Sequence, residues 1–164
     1  MFTSVVVILA SVAAIANAAV GGIAYAFSTF VMRGLDRTDP VEAITAKQAI
    51  NKEANSNIAF LLAVAGTAIL SAAVGVIAAT QLRQPGNCWL LAGAVFGVVA
   101  AIIAILFNVP LNNRLDGVDS SQLLADDAAR AWQAYFNAWM AWNHVRTIAA
   151  FLGAALMLVA LRFH

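Results

Sequence analysis

The distribution of charged residues constrains this chain more than any other feature. No charged side chain occurs from Met1 to Met32, from Ala54 to Leu82 or from Gln84 to Asn113. Each of these segments is longer than the roughly 20 residues that an α-helix needs to cross a bilayer. Only 10% of the 164 residues are charged and 63% are hydrophobic, whereas an ordinary globular domain has about 25% charged residues. We therefore expect a small integral membrane protein with a single domain.

The fourth apolar segment differs from the other three because one charge divides it. Residues 131–145 and 147–161 are uncharged, and Arg146 lies between them. Because neither half is long enough to cross a bilayer, a fourth span must hold Arg146 in or near the hydrocarbon region. The four predicted spans are about 4–30, 58–79, 89–107 and 139–161.

Helix-start signals predict that the second and fourth helices begin before their apolar segments. The sequences DPVE at 39–42 and DSSQ at 119–122 each place an acid at the N-cap and a Glu or Gln three residues later. With no proline after the start of either segment, we expect continuous helices over 40–80 and 120–161. Helices of about 40 residues are about 60 Å long, roughly twice the hydrocarbon thickness.

These elements predict an all-α, up-down-up-down four-helix transmembrane bundle, in which helices two and four extend beyond the membrane into a small polar head. The predicted head segments are about 33–57 and 112–138. They hold six of the nine basic residues, whereas Arg83 and Arg162 lie on the opposite side. The positive-inside rule therefore predicts a cytoplasmic head with both termini outside, in a bacterial inner (plasma) membrane.

Charge and cysteine content exclude several classes of function. A net charge of +1 offers no basic surface for nucleic acid. The single cysteine, Cys88, excludes an intrachain disulfide and a thiolate-rich metal site, and no cluster of His and carboxylate residues predicts a metal site. The sequence ANA at 16–18 resembles a signal-peptidase site, but no Lys or Arg precedes it and the apolar run continues to Val31. We therefore expect a membrane span there.

Polar side chains recur at helical spacing within three of the predicted helices. In the first helix, Asn17 and Tyr25 share a stripe with the small residues Gly21 and Ser28. The pairs Asn51 and Asn55, and Asn108 and Asn112, each have i, i+4 spacing at one membrane depth, and Pro110 in the third helix frees a backbone carbonyl. Two interpretations remain open for both groups: hydrogen bonding between helices, or the lining of a ligand cavity.

The fourth helix carries the densest aromatic and polar cluster, which contains Trp139, Trp142, Asn143, His144 and Arg146. At 100° per residue, Trp139, Asn143 and Arg146 share the inward face, while His144 lies on its flank. The tryptophans form either an interfacial belt or an aromatic binding surface. His144 is a general base, a haem ligand or an interfacial histidine. For Arg146, which has no acid in the apolar segments, we expect freed carbonyls, asparagine amides or an anionic ligand as partners.

Four motifs together resemble the anthrone oxygenase-like family of small four-helix membrane proteins, much of which is known as a domain of unknown function. They are AFSTFVM at 26–32, QAIN at 48–51, FNVPLNN at 107–113 and WNHVRT at 142–147. The resemblance extends over nearly the whole chain. It implies the four-helix fold, and an activity that oxidises polycyclic anthrones to anthraquinones with molecular oxygen.

The cluster and the resemblance together motivate a hypothesis of oxygenation without a cofactor. His144 is the predicted base, while Arg146, Asn108 and Asn112 are predicted to stabilise an oxyanion. Asn143, on the same helix, is a further predicted catalytic residue. A flat, hydrophobic small molecule is predicted to stack on aromatic side chains. The predicted substrate-binding residues are Trp139, Trp142, Tyr25, Asn51 and Asn17.

Two alternatives keep the fold and change the function. In the first, haem or another flat cofactor binds through His144 and makes a membrane redox protein. In the second, the chain is a non-catalytic accessory subunit that docks onto a membrane complex, or a homo-oligomer, through its glycine- and alanine-rich faces. Membrane lipid is a partner in every case.

Overall fold

The structure, a computed structural model, describes residues 2–163, which are helical with short connections and contain no β-strand within that range. The α-helices are α1 (Phe2–Ala26), α2 (Met32–Leu35), α3 (Pro40–Ser56), α4 (Ile58–Thr80), α5 (Asn87–Ile103), α6 (Val109–Asp116) and α7 (Ala125–Ala160). Two π-helical turns, Phe27–Val31 and Ala104–Asn108, join α1 to α2 and α5 to α6 without interruption, and 3-10 turns occupy Ser120–Gln122 and Leu161–Phe163.

Four continuous helices are long and apolar enough to cross a membrane, as the uncharged segments predict. They are Ser4–Leu35, Ile58–Thr80, Asn87–Asp116 and Ala125–Phe163. The all-helical architecture is thereby confirmed, and the chain is an integral membrane protein. The connections between successive spans are short except for the one that contains α3, a helix rich in polar residues that packs against α6 and α7.

The four spans form a bundle in which α7 packs against α1 and α5, and α4 packs against the same two helices from the other side. The contact between α1 and α4 is the least extensive of these four. By contrast, α5 and α7 approach each other closely at Gly93 and Gly153, where a Cβ atom on Gly93 would lie 2.9 Å from the carbonyl oxygen of Gly153. Side chains larger than hydrogen are excluded from this crossing.

The expectation of one continuous helix over 40–80 is wrong, because the chain breaks at Asn57. Asn57 has an extended backbone with ψ 98°, and its side-chain oxygen accepts a hydrogen bond of 2.9 Å from the amide of Phe60. Its own amide donates to the carbonyl of Glu53, which closes α3. An asparagine side chain that bonds to nearby backbone competes with helix continuation, so no proline is needed to end α3.

The expected start of the fourth helix at Ser120 is also wrong. Asp119 caps the 3-10 turn over Ser120–Gln122, where its carboxylate accepts from the amide of Ser121 at 3.2 Å and from its hydroxyl at 2.6 Å. The α7 helix begins five residues later, at Ala125. The equivalent prediction at Asp39 is confirmed, since its carboxylate accepts from the amide of Val41 at 2.9 Å and Pro40 opens α3.

Candidate functional site

The two π-helical turns, one in the first span and one in the third, both contact α7. The amide of Met32 donates to the carbonyl of Phe27, and that of Val109 donates to the carbonyl of Ala104, so each bond closes a wider turn than an α-helix allows. Pro110 follows the second turn and has no amide hydrogen, which prevents a regular α-helical ladder there. Single π-helical turns inside α-helices occur frequently at functional sites.

Hydrogen bonds from buried asparagines fasten these turns to α7. The Asn108 side chain donates at 3.2 Å to the carbonyl of Trp139. One helical turn further along α7, the Asn143 side chain donates at 2.8 Å both to the carbonyl of Ala24 and to the hydroxyl of Ser28. These bonds fix the positions of Trp139 and Asn143 relative to the first and third spans.

A cavity of about 180 Å³ lies between the helices at this level. Its apolar wall includes Ile23, Phe27, Phe60, Leu61 and Val64. Its polar wall comes from α3, the second π-helical turn, α6 and α7, and consists of Lys47, Asn51, Asn55, Asn108, Asn112, Trp139, Asn143 and Arg146. Five separate stretches of the chain therefore contribute to one partly polar cavity.

Three buried polar atoms on the residues that line this cavity have no hydrogen-bond partner among the described residues. They are the side-chain oxygens of Asn108 and Asn143 and the indole nitrogen of Trp139. Both asparagine amides are oriented by the backbone carbonyls that their nitrogens bind, because a carbonyl only accepts. Leaving a buried polar group unpaired costs about 1–3 kcal/mol. The residues that line the cavity therefore carry two acceptors and one donor that no other described residue satisfies.

Arg146 lines the same cavity as Asn108, as we expect from its place on the inward face of α7. No hydrogen bond or ion pair joins its guanidinium to any other part of residues 2–163. The freed carbonyls and asparagine amides expected as its partners are thus not bound to it. The third expected partner, an anionic group on a ligand, stays a prediction.

Lys47 is a cavity residue that sequence reasoning missed. Its side chain is only 2% exposed, and its amine donates to the side-chain oxygen of Asn51 and lies 3.5 Å from that of Asn112. The amine also lies 5.3 Å from the centre of the Trp139 ring. In the sequence Lys47 counted only as one of the basic residues of the predicted head. The signal that could have identified it is its spacing along the helix. Lys47 lies three residues after Ile44 and four residues before Asn51, and because both of these residues are buried, the helical period places Lys47 on the inward face of α3.

Burial lowers the pKa of the Lys47 amine from its ordinary value of 10.5 to about 8. The desolvation of the ammonium is the larger cause, and the negative charge of Asp116 acts in the opposite direction. Asp116 is linked to the amine through Asn51, which accepts a hydrogen bond from Lys47 and donates one of 2.9 Å to the Asp116 carboxylate. A substantial fraction of Lys47 is therefore neutral at pH values near 8.

The structure brings together six of the ten residues predicted for the site. Asn51, Asn108, Asn112, Trp139, Asn143 and Arg146 all line the cavity. The other four, which are Asn17, Tyr25, Trp142 and His144, are not among its lining residues.

His144 is exposed on the outer surface of the bundle. It follows Asn143, which is completely buried, and one residue turns the helix by about 100°. Trp142 packs flat on Phe107, with ring centres 3.5 Å apart and planes 8° from parallel. Tyr25 is 54% exposed and contacts the edge of Phe151. The geometry therefore does not bring the predicted base and two of the predicted aromatic residues to the cavity.

Asn17 is buried deeper in the bundle and joins helices. Its amide donates to the carbonyl of Ala13 at 2.8 Å and to the hydroxyl of Ser71 in α4 at 2.9 Å. Gly97 of α5 packs against both side chains, so that a Cβ atom there would lie 2.5 Å from the Ser71 hydroxyl oxygen. Of the two interpretations open for Asn17, interhelical hydrogen bonding is the one the contacts support.

The fold and the cavity define a class: a small integral membrane protein with a partly polar cavity between its helices. The sequence model described as "Anthrone oxygenase" matches residues 57–156. Because the match extends over more than half of the chain, the protein belongs to the anthrone oxygenase family. The matched region contains Asn108, Trp139 and Arg146, whereas Lys47 and Asn51 precede it. Searches of curated proteins and of solved structures found no match.

Proposed function

We propose that this protein is a membrane oxygenase that oxidises a hydrophobic phenolic or polycyclic aromatic substrate, of the anthrone type, with molecular oxygen. The observation that carries the proposal is the set of unpaired polar groups on residues that line the cavity. Hydroxyl groups of a substrate suit the two free asparagine oxygens, of Asn108 and Asn143. A carbonyl or phenolate oxygen suits the Trp139 indole and the Arg146 guanidinium, which only donate. A hydroxylated aromatic ketone presents both kinds of group.

The size of the cavity supports entry of one end of such a molecule. An engineered protein cavity of about 150 Å³ holds benzene, and this cavity measures about 180 Å³. One ring therefore fits, and a three-ring substrate extends through the wall. Ile23 of α1 and Leu61 of α4 line the cavity and are also 42% and 44% exposed on the outer surface. We place the entrance between them, where a hydrophobic substrate arrives from the lipid.

The chemistry needs a base, an oxyanion partner and molecular oxygen. Removal of a proton from the methylene carbon of an anthrone gives an anion whose charge lies largely on the carbonyl oxygen. Arg146 and Trp139 stabilise that oxygen. Reaction of the carbon with oxygen forms a hydroperoxide, which loses water to give the quinone carbonyl. One oxygen atom enters the product and the other leaves as water, so the four electrons lost by the carbon reduce one oxygen molecule.

The first hypothesis used Asn108 and Asn112, with Arg146, to stabilise the oxyanion. The contacts favour a different division of roles. The amide nitrogens of Asn108 and Asn143 are engaged with backbone carbonyls. Their free oxygens suit substrate hydroxyl groups and thereby set orientation. The haem alternative is not favoured, because His144 is exposed and its side chain is not part of the cavity wall.

We propose that α3 and the start of α7 form the polar head on the cytoplasmic side of a bacterial inner membrane. The support is the excess of Lys and Arg in the segments about 33–57 and 112–138 over the opposite side. In this orientation the cavity lies at the boundary between the head and the hydrocarbon region, and both termini lie outside.

Turnover of a hydroxylated anthrone by the purified protein in lipid nanodiscs tests the proposed function. Oxygen uptake and quinone absorbance above the protein-free rate are the expected result. Arg146→Met is expected to lower kcat/KM about 100-fold or more, as loss of an oxyanion donor does. His144→Ala, on the outer surface of the same helix, is the matched control and is expected to keep wild-type turnover. A wild-type rate equal to the protein-free rate would overturn the proposal.

A further inference from the structure

Lys47 is the one described residue on the cavity wall that exchanges a proton near neutral pH. The only other titratable side chain on that wall is Arg146, and a guanidinium stays protonated in proteins. The stretches contributed by α1, the first π-helical turn and α4 supply apolar residues, including Ile23, Phe27 and Leu61. Neither a carboxylate nor a histidine stands on the wall. The base required by the proposed chemistry therefore has one candidate within the cavity.

The amine of Lys47 is held at a fixed place by two asparagine oxygens. Asn51, one turn along α3, accepts from it, and Asn112 of α6 lies 3.5 Å away. Each asparagine is itself oriented from outside the cavity. Asp116 accepts from the Asn51 nitrogen at 2.9 Å, and the Tyr135 hydroxyl donates to the Asn112 oxygen at 2.8 Å. A flexible lysine side chain is thereby fixed at the cavity, as a catalytic group must be.

The charged and titratable groups around the amine come from two elements. Asp116 of α6 favours the ammonium, and Tyr135 of α7 is hydrogen-bonded to the shared acceptor Asn112. Arg146 of α7 is a second cation that lines the same cavity. Desolvation exceeds the effect of Asp116 and brings the pKa of Lys47 to about 8. That value suits a base that works near physiological pH.

We propose that Lys47 is the general base of this site. Its neutral amine removes the proton from the methylene carbon of the bound substrate, and the resulting ammonium stays beside the anion, whose oxygen Arg146 also faces. After the carbon has reacted with molecular oxygen, the ammonium returns its proton to the peroxide anion. Loss of water then gives the quinone and the neutral amine. This inference rests on the proposed oxygenase function. It assigns to Lys47 the proton removal that was first predicted for His144, which does not line the cavity.

A polar cleft next to the cavity gives the amine a route for proton exchange with solvent. The cleft is lined by Gln48, Lys52, Asn55, Ser56 and Asp116, and Asn55 lines the cavity as well. The carboxylate of Asp116 is exposed and is hydrogen-bonded to Asn51, the acceptor for the Lys47 amine. The Lys47–Asn51–Asp116 chain therefore leads from the cavity to the cleft.

Two substitutions separate a base from a simple counter-ion. Lys47→Arg keeps the positive charge and does not release a proton at these pH values, while Lys47→Met keeps the length and removes the charge. Both variants are expected to lose turnover about 100-fold or more. Glu53→Gln, on the exposed side of the same helix and outside both the cavity and the cleft, is the control and is expected to keep wild-type turnover. Wild-type kcat/KM is expected to rise with pH and level off above about 8, since only the neutral amine acts. Turnover by Lys47→Arg within a few-fold of wild type would overturn the proposal.

A second measurement does not depend on activity. The chain has only two lysines, Lys47 and Lys52, so NMR of protein containing isotope-labelled lysine gives two side-chain signals, which the Lys52→Met variant assigns. Lys47 is expected to titrate near pH 8, well below the ordinary lysine value of 10.5. Titration of Lys47 at that ordinary value would overturn its role as the base even if the oxygenase function holds. Wild-type protein without turnover would overturn both proposals.

Discussion

Gly93→Ala tests the close crossing of α5 and α7. A Cβ atom on Gly93 would lie 2.8 Å from the side chain of Met157, and 2.9 Å from both the amide nitrogen of Met157 and the carbonyl oxygen of Gly153. Ordinary contacts begin near 3.4 Å. Two of these neighbours are backbone atoms, so the helices themselves must separate by about 0.5 Å, which is 3.4 minus 2.9.

Overpacking of this kind costs about 1–3 kcal/mol, and the higher helix propensity of alanine returns at most about 1 kcal/mol. We therefore expect Gly93→Ala to lower the free energy of unfolding by about 1–2 kcal/mol. Gly66→Ala in α4 is the matched control, because a Cβ atom there meets nothing within 4 Å, and this variant is expected to be at least as stable as wild type.

Reversible unfolding in mixed micelles, followed by tryptophan fluorescence, measures both changes. The Asn108 to Trp139 bond spans the same pair of helices, so turnover by Gly93→Ala is expected to fall together with stability. Equal unfolding free energies for the Gly93 and Gly66 variants would refute the close crossing.

Three further substitutions probe other parts of the structure. Asn143→Ala removes two interhelical hydrogen bonds and is expected to cost about 1–3 kcal/mol of unfolding free energy in the same micelles; an unchanged value would contradict the buried contacts. Asn57→Ala removes the cap of α4 and is expected to cost about 1 kcal/mol and to speed proteolysis between α3 and α4, so a cleavage rate like that of wild type counts against the break. Trp139→Phe removes the free indole donor and is expected to lower kcat/KM of the hydroxylated anthrone, whereas Trp142→Phe is expected to have little effect; equal losses would show that the wrong tryptophan was placed in the cavity.

The length and placement of the apolar segments were sufficient to predict the four spans, because the bilayer imposes a minimum helix length and charged side chains are rare within it. The inward face of α7 was equally predictable, since Trp139, Asn143 and Ala150 share one helical stripe and are all nearly or fully buried. Periodicity within one helix determines which residues face the protein. It does not determine how far away the neighbouring helix lies, or where a helix ends when no proline is present. The break at Asn57 is an example of the latter, because a hydrogen bond between its own side chain and the nearby backbone ends the helix.

The candidate site was predictable only where its residues lie in apolar segments. Arg146 and the asparagines of the third span are conspicuous there, because polar groups are rare in such surroundings. Lys47 lies on a helix of mixed composition, where a lysine is ordinary, and its burial depends on Trp139 and Tyr135, which lie about 90 residues away in sequence and pack around it. His144, by contrast, was predicted for the site and does not line the cavity. Its chemistry suits a base, but the helical rotation that buries Asn143 turns it outward.

Oxygen labelling of the product tests the central claim most directly. The wild-type protein in nanodiscs is supplied with a hydroxylated anthrone under labelled molecular oxygen, and the quinone is analysed by mass spectrometry after subtraction of the protein-free reaction. The account predicts one labelled atom in each quinone formed by the protein, with one oxygen molecule consumed for each quinone and none of the new oxygen coming from water. Quinone formation that continues at the same rate without oxygen, or that takes its new oxygen atom from water, would contradict it.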